Sequence, residues 1–490
     1  MVFAGIKNVA GDRVDSASLS TTKLSPARNV GLCSGAPFLK GARFFTQSVN
    51  NAIISVSYPR NACNPFGAVR TALPSPVALN AAYIARRNVN FLKKTIVNML
   101  TSSLRPLIAL STMSLACSAA FAQAPERAVG IKADPLTLYP TASLTVGQND
   151  NVLLTPARVS SAVQIFGAGL KAEAQSGKSK YSIGYDGTFG RYNSSSADNY
   201  NYHVFNALAD MDLSTRARLR LGADYMQKSD PRGSLPTANT AVPNEYKQSG
   251  VNGLFSYGAE GAMGRIELEG AYTDKTYQNN RVVTQNLDVQ TAKAGATFFW
   301  RIAPKTEWLF QGVVTESDYK SATAVVDNTE YKLLTGFKWE ATVQTEGTFK
   351  IGYVKKDFWL PTATDAKGFV WDGSITWKPL TYSKVDFNTG KSFNDPLGGG
   401  NIINNRNANL KWSHSWSEKF KSEASTGLIK DNYDGLGRND TTTSVGLKLT
   451  HDTLRWLTLG AEYVYTNRAS NLSNFEYRKN LILFSARVAL

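Results

Sequence analysis

Three histidines, His203, His414 and His451, are the first places to look for catalysis or metal binding in this 490-residue chain. They contain no His-x-His or His-x-x-x-His pair that would turn two imidazoles toward one metal. Ser413-His414 is the one neighbourhood that suggests a nucleophile beside its base. Adjacent residues of an extended strand point to opposite faces, so these two cannot form a dyad with each other. By parity His414 falls beside Trp412 and Trp416, in an aromatic setting. No glycine-rich phosphate loop leads a strand into a helix. The expectation is therefore no catalytic residue, no metal and no cofactor.

Charge is the richer signal, and it must be read by region. The formal charge of +16 invites a nucleic-acid partner. Residues 1–122, however, hold 13 basic and 2 acidic side chains, and residues 123–490 hold 41 and 36, so the excess lies mostly in the first segment. Nucleic acid is not the expected partner.

In residues 136–490 the charges alternate with apolar residues. Arg218 and Arg220 alternate with Leu219 and Leu221, Lys293 sits between Ala292 and Ala294, and Lys332 and Lys338 alternate with Leu333 and Phe337. This is the period of a β-strand with one wet and one greasy face. A charge at the centre of a membrane strand costs about 2–4 kcal/mol on the lipid side, so these residues are predicted to point into a water-filled interior. The candidate lumen set is Arg216, Arg218, Arg220, Arg265, Glu267, Glu269, Lys293, Lys332, Lys338, Asp372, Lys411 and Arg487. Most are expected to pair across strands and keep the interior wet. The arginines at 216, 218 and 220 start beside a short turn, where they could form a positive ring at the periplasmic mouth.

The elements that position these residues form a regular series. Period-two alternation recurs about every twenty residues and ends with Ile482, Phe484, Ala486, Val488 and Leu490. We read eighteen strands, from residues 136–148 at one end to 477–490 at the other, joined alternately by short turns and long polar loops. No stretch shows the 3.6-residue period and caps of helices. The predicted fold is all-β: a transmembrane antiparallel up-and-down barrel of about eighteen strands, which leaves no unpaired edge in lipid. Trp300, Trp308, Trp377, Trp412, Trp416 and Trp456 cluster near the short turns, as a periplasmic aromatic girdle would. Tyr225, Tyr272, Tyr353, Tyr463 and Tyr465 lie toward the long loops, as an outer girdle would.

Residues 99–122 carry Arg105, the apolar run Pro106–Ala116 and the small-residue site Ala120-Phe121-Ala122 before Gln123, the pattern of a secretory signal cleaved between Ala122 and Gln123. A lipoprotein signal ending at Cys117 is the alternative. Residues 1–98 read as an over-extended start or disordered leader, and 123–135 as a short periplasmic segment. Cys33, Cys63 and Cys117 all precede the predicted cleavage site, so the exported chain would carry no disulfide framework.

At the first strand the chain reads Leu138-Tyr139-Pro140 through Asn149-Asp150-Asn151-Val152. This opening resembles the β-barrel porin family found with exopolysaccharide and capsule biosynthesis genes, although Gln148-Asn149 and the terminal Leu490 depart from its pattern. The resemblance implies an outer-membrane barrel that helps secreted polysaccharide leave a Gram-negative cell. Its expected surroundings are outer-membrane lipid, lipopolysaccharide and, through the last strand, the barrel assembly machinery. The alternatives are a general or substrate-selective diffusion porin and a loop-plugged structural or adhesive barrel. A transporter with a separate plug domain is disfavoured, because only 13 residues separate the cleavage site from the first strand.

Overall fold

The computed structural model describes residues 129–234, 240–259, 261–321, 326–340, 344–360, 363–395 and 402–490. The predicted signal peptide, its cleavage site and the leader lie outside them. The described strands are β1 (Ile131–Ala133), β2 (Leu136–Asn149), β3 (Ser161–Ser176), β4 (Ser179–Tyr192), β5 (Tyr200–Asp212) and β6 (Ala217–Asp230). They continue with β7 (Asn244–Tyr257), β8 (Gly264–Tyr277), β9 (Val289–Ala303), β10 (Thr306–Tyr319), β11 (Asn328–Trp339), β12 (Thr345–Phe358) and β13 (Ala366–Leu380). The last six are β14 (Ser383–Asn394), β15 (Ile402–Ser415), β16 (Phe420–Asp434), β17 (Arg438–Leu454), β18 (Leu457–Ser470) and β19 (Tyr477–Ala489).

Each strand from β2 to β19 pairs antiparallel with its sequence neighbours, and β19 returns to β2 from Leu481↔Asn149 to Ala489↔Thr141. The sheet is thus a closed eighteen-strand barrel. Closure gives both seam strands a partner, which an open edge in hydrocarbon would lack. The eighteen strands expected from sequence are these eighteen, with ends displaced by no more than three residues. The addition is β1, which folds back on β2 with Ile131↔Leu138 and makes a hairpin out of a segment expected to be plain.

The alternation sets the two faces. On β11 Tyr331, Leu333 and Phe337 are exposed, Leu333 to 71%, whereas Leu334 between them is buried. On β12 Phe349, Ile351 and Tyr353 are exposed and Val354 is fully buried. Large apolar side chains left bare on one face of a closed sheet are what lipid contact requires. Gly352 on β12 is needed, because a Cβ there would collide with the Leu333 carbonyl of β11.

Short connections such as 177–178 and 304–305 gather at one end of the barrel and long ones such as 150–160 and 278–288 at the other. At the long-loop end the interior is partly apolar. Leu334, Val354, Val370, Phe393 and Ile402 form one cluster, and Val163, Ile165, Leu481 and Leu483 another. Register between β13 and β14 stops at Trp371↔Lys391 although β14 runs on to Asn394. Beyond that point Phe393 lies against the Gly368 position on β13.

Candidate functional site

Six neighbouring strands, β8 to β13, bring much of the predicted interior set into one belt. The Arg265 guanidinium binds Glu267 and, at 3.0 Å, Glu307, and lies 3.9 Å over the Phe299 ring. Lys293 Nζ is 2.8 Å from Glu269, and Gln311 donates to the same carboxylate. Lys350 joins Asp372 at 2.9 Å and reaches Gln311 at 3.4 Å. Lys332 pairs with Glu330 and Lys338 with Glu340. These contacts follow from period two: residues i and i+2 on one strand, or residues level on neighbouring strands, share a face. The belt is nearly charge-neutral but dense in donors and acceptors.

Some expected residues sit differently. Arg216 lies in the turn before β6, so it is not part of a strand wall. Arg218 binds Asp212 at 2.7 Å and Arg220 binds Asp210 at 2.7 Å. The free positive ring expected at the short-turn mouth is therefore not formed. Lys411 on β15 stands level with Asp386 of β14, whose carboxylate is taken by Lys384 at 3.0 Å. Arg487 on β19 stands level with Ser143 of β2. No member of the interior set approaches a histidine.

The six tryptophans of the expected girdle lie at the short-turn end. Trp300 and Trp308 face each other in register and stack at 6.4 Å, and Trp308 donates to Thr335 Oγ1. Trp412 and Trp416 donate to Ser383 and Ser422 hydroxyls, while Trp377 and Trp456 are exposed. His414 is ringed by Tyr382, Trp412 and Trp416, with centroids 4.4 to 5.4 Å away. This surrounding is aromatic and offers no catalytic partner.

The residues that the parity reading missed are near the long-loop mouth. Asp395, one residue past β14, accepts from Lys356 Nζ at 2.6 Å, Tyr319 Oη at 3.1 Å and Asn328 Nδ2 at 3.1 Å. One carboxylate thus draws the root of the 395–401 loop onto β12, β10 and β11. A second loop is held by Arg232, whose guanidinium binds Asp198 and Ser195 of the 193–199 connection. Hydrogen bonding to Asp198 raises the Arg232 pKa above its ordinary value. One residue on, the Gly233 carbonyl accepts from Arg468 of β18 at 3.4 Å, and a Cβ at Gly233 would collide with the Leu153 carbonyl oxygen. Gly233 has φ +75°, which suits glycine. The sequence signal was present in buried charges next to tyrosines, but these lie within a few residues of loops, where alternation stops being informative.

A different stretch of wall is rich in amides. Asn388 and Asn409 stand level on β14 and β15, Asn407 donates to Asn405, and Asn405 donates to Asp431. Amides of this kind offer hydrogen bonds without charge.

Comparison with protein families matches residues 124–490 to the model described as "Putative beta-barrel porin 2". Comparison with curated protein sequences gives no match. Among solved structures, the chain is similar to the outer membrane protein OpdK from Pseudomonas aeruginosa, with 12% identity over 72% of this chain and 99% of that one, TM-score 0.43. It is likewise similar to Pseudomonas aeruginosa OccK2 (OpdF), solved in complex with glucuronate, with 10% identity over 73% and 99% and TM-score 0.43.

Proposed function

The chain belongs to the β-barrel porin family just described, a family of outer-membrane barrels rather than enzymes, and we propose that it is a selective diffusion channel for small hydrophilic solutes. The observation that carries this reading is the threefold hold of Lys356, Tyr319 and Asn328 on Asp395, which ties the end of β14 to β10, β11 and β12. Arg468 holds the Gly233 carbonyl elsewhere on the rim. Below it, the paired belt of β8 to β13 offers a passing solute alternating donors and acceptors at little net charge. Such a wall favours hydrated polar molecules over apolar ones.

Export of exopolysaccharide is the second reading. It is supported by the amide wall of Asn388, Asn405, Asn407 and Asn409, whose donors and acceptors suit a hydroxyl-rich chain.

Single-channel recording of the folded protein in a planar bilayer tests the proposal. A steady, modest conductance that rises in Asp395→Asn supports the selective channel. Large conductance blocked by added polysaccharide, and unchanged in Asp395→Asn, favours export. No conductance from the folded barrel sinks both and points to a plugged structural barrel.

A further inference from the structure

One set of charges lies on the wrong face. Lys391 on β14 stands level with Arg406 on β15, and Arg406 stands level with Lys430 on β16. Arg406 has the strand parity of exposed Leu410 and Trp412, Lys430 that of exposed Leu428, and Lys391 that of exposed Phe387. The three cations therefore lie side by side on the outer, lipid-facing surface. With strands about 4.8 Å apart, the row is about 10 Å long.

Among the described residues no ion pair neutralises it. The row continues to Trp371 on one side and Thr441 on the other. The level nearer the loops is Phe393, whose ring packs with the interior cluster and lies 5.2 Å from Lys391 Nζ, then Asn404, Asn432 and Asn439, and the level nearer the turns is Thr389, Ala408, Leu428 and Thr443. No carboxylate stands on any of these positions. Like charges directly opposite each other on a sheet are destabilising. A row of three thus costs stability unless the surroundings supply anions.

Its height says which surroundings. Toward the short turns the same face is apolar, through Ala408 and Leu428, then Phe387 and Leu410, then Val385, Trp412 and Leu447. Toward the long loops it becomes an amide row. The cations mark the level at which the hydrocarbon band gives way to headgroups, on the side of the long loops.

We propose that Lys391, Arg406 and Lys430 form a binding site for the phosphorylated sugar headgroup of a glycolipid in the outer leaflet, with its acyl chains lying on Phe387, Leu410 and Leu428. Arginine at the centre can take a phosphate with two parallel hydrogen bonds, and the flanking lysines add point charges. The source of the phosphate is a membrane lipid and not a soluble anion, because the apolar rows directly below would be in contact with its chains.

The test follows thermal unfolding of the full-length folded protein in neutral detergent, with three additions: lipid A carrying both phosphates, the same lipid dephosphorylated, and inorganic phosphate. The phosphorylated lipid is expected to raise the melting temperature, the other two to leave it unchanged. In Lys391→Gln/Arg406→Gln/Lys430→Gln the response disappears and lipid affinity by native mass spectrometry falls at least ~10-fold, about 1.4 kcal/mol. The same variant without lipid should melt at or above the wild type, since repulsion has been removed. Arg406→Gln alone, which keeps most of the surface intact, should lose part of the affinity if the triple variant does not fold. Equal stabilisation by dephosphorylated lipid, stabilisation by inorganic phosphate alone, or an unaltered response in Arg406→Gln would overturn the proposal.

Discussion

Lys356 Nζ lies 2.6 Å from Asp395 Oδ1, with 6% of the lysine and 18% of the aspartate side chain exposed. The pair ties the root of a long loop to a strand two positions along the wall. Glu330 stands 3.6 Å from the same lysine, so Lys356 is balanced from two sides.

Removing one partner of a buried ion pair leaves the other charge stranded, at about 3–5 kcal/mol. Asp395→Asn is accordingly expected to lower stability by about 2–3 kcal/mol, the shortfall being what Glu330 still offsets. Single-channel conductance should rise as the loop root is released. Combining it with Lys356→Met should recover most of the stability and keep the higher conductance. Urea unfolding and planar-bilayer recording of the two variants check both halves.

Arg218 and Arg220 are mostly exposed beside Asp212 and Asp210. Exposed pairs contribute only about 0–1 kcal/mol, so Asp210→Asn/Asp212→Asn should barely alter stability. It frees two positive charges facing the interior at the short-turn mouth. The reversal potential in a salt gradient should move toward anion selectivity, and no movement would place these arginines away from the ion path.

Leu333 is the most exposed apolar side chain on β11, between Gly312 and Tyr353 on the neighbouring strands. If it faces lipid, Leu333→Arg should cost about 2–4 kcal/mol in a bilayer, and Leu333→Ala much less. Folding titrations in vesicles measure the difference. An arginine tolerated as well as alanine would mean that this face meets water.

The Arg232 pKa is raised by its hydrogen bond to Asp198. A raised basic pKa gives stability that is complete below the unfolded value and is lost only as pH rises through the folded one. That window lies far above neutral pH, so the arginine contributes constantly through the neutral range. Arg232→Lys moves the loss toward about pH 10–11, where the loop anchor should weaken. Thermal melts of both proteins between about pH 7 and 11 should diverge only at the alkaline end.

The strands themselves were legible in the sequence because a strand between lipid and water must alternate, and alternation is local. Leu219, Leu221 and Tyr225 against Arg218, Arg220 and Asp224 fix which side of β6 is which without knowledge of its neighbours. The turns were legible for the same reason, since a break in alternation is visible where it occurs. Even the aromatic surroundings of His414 follow from counting two residues either way.

Pairing was not legible, because it depends on register and on the path of loops. Asp210 and Arg220 are ten positions apart in sequence, and only the β5–β6 register makes them partners and removes the expected positive ring. Arg468 and Gly233 are 235 positions apart, and nothing local to either one announces the other. Lys391, Arg406 and Lys430 read singly as ordinary strand-end charges. The sequence determined the barrel, its two faces and its strand boundaries, because period and hydropathy act over a few residues. The tertiary structure decided which charges cancel, which loop ends are tied to the wall and which cations stand in a row, because these depend on contacts between distant segments whose register no local pattern encodes.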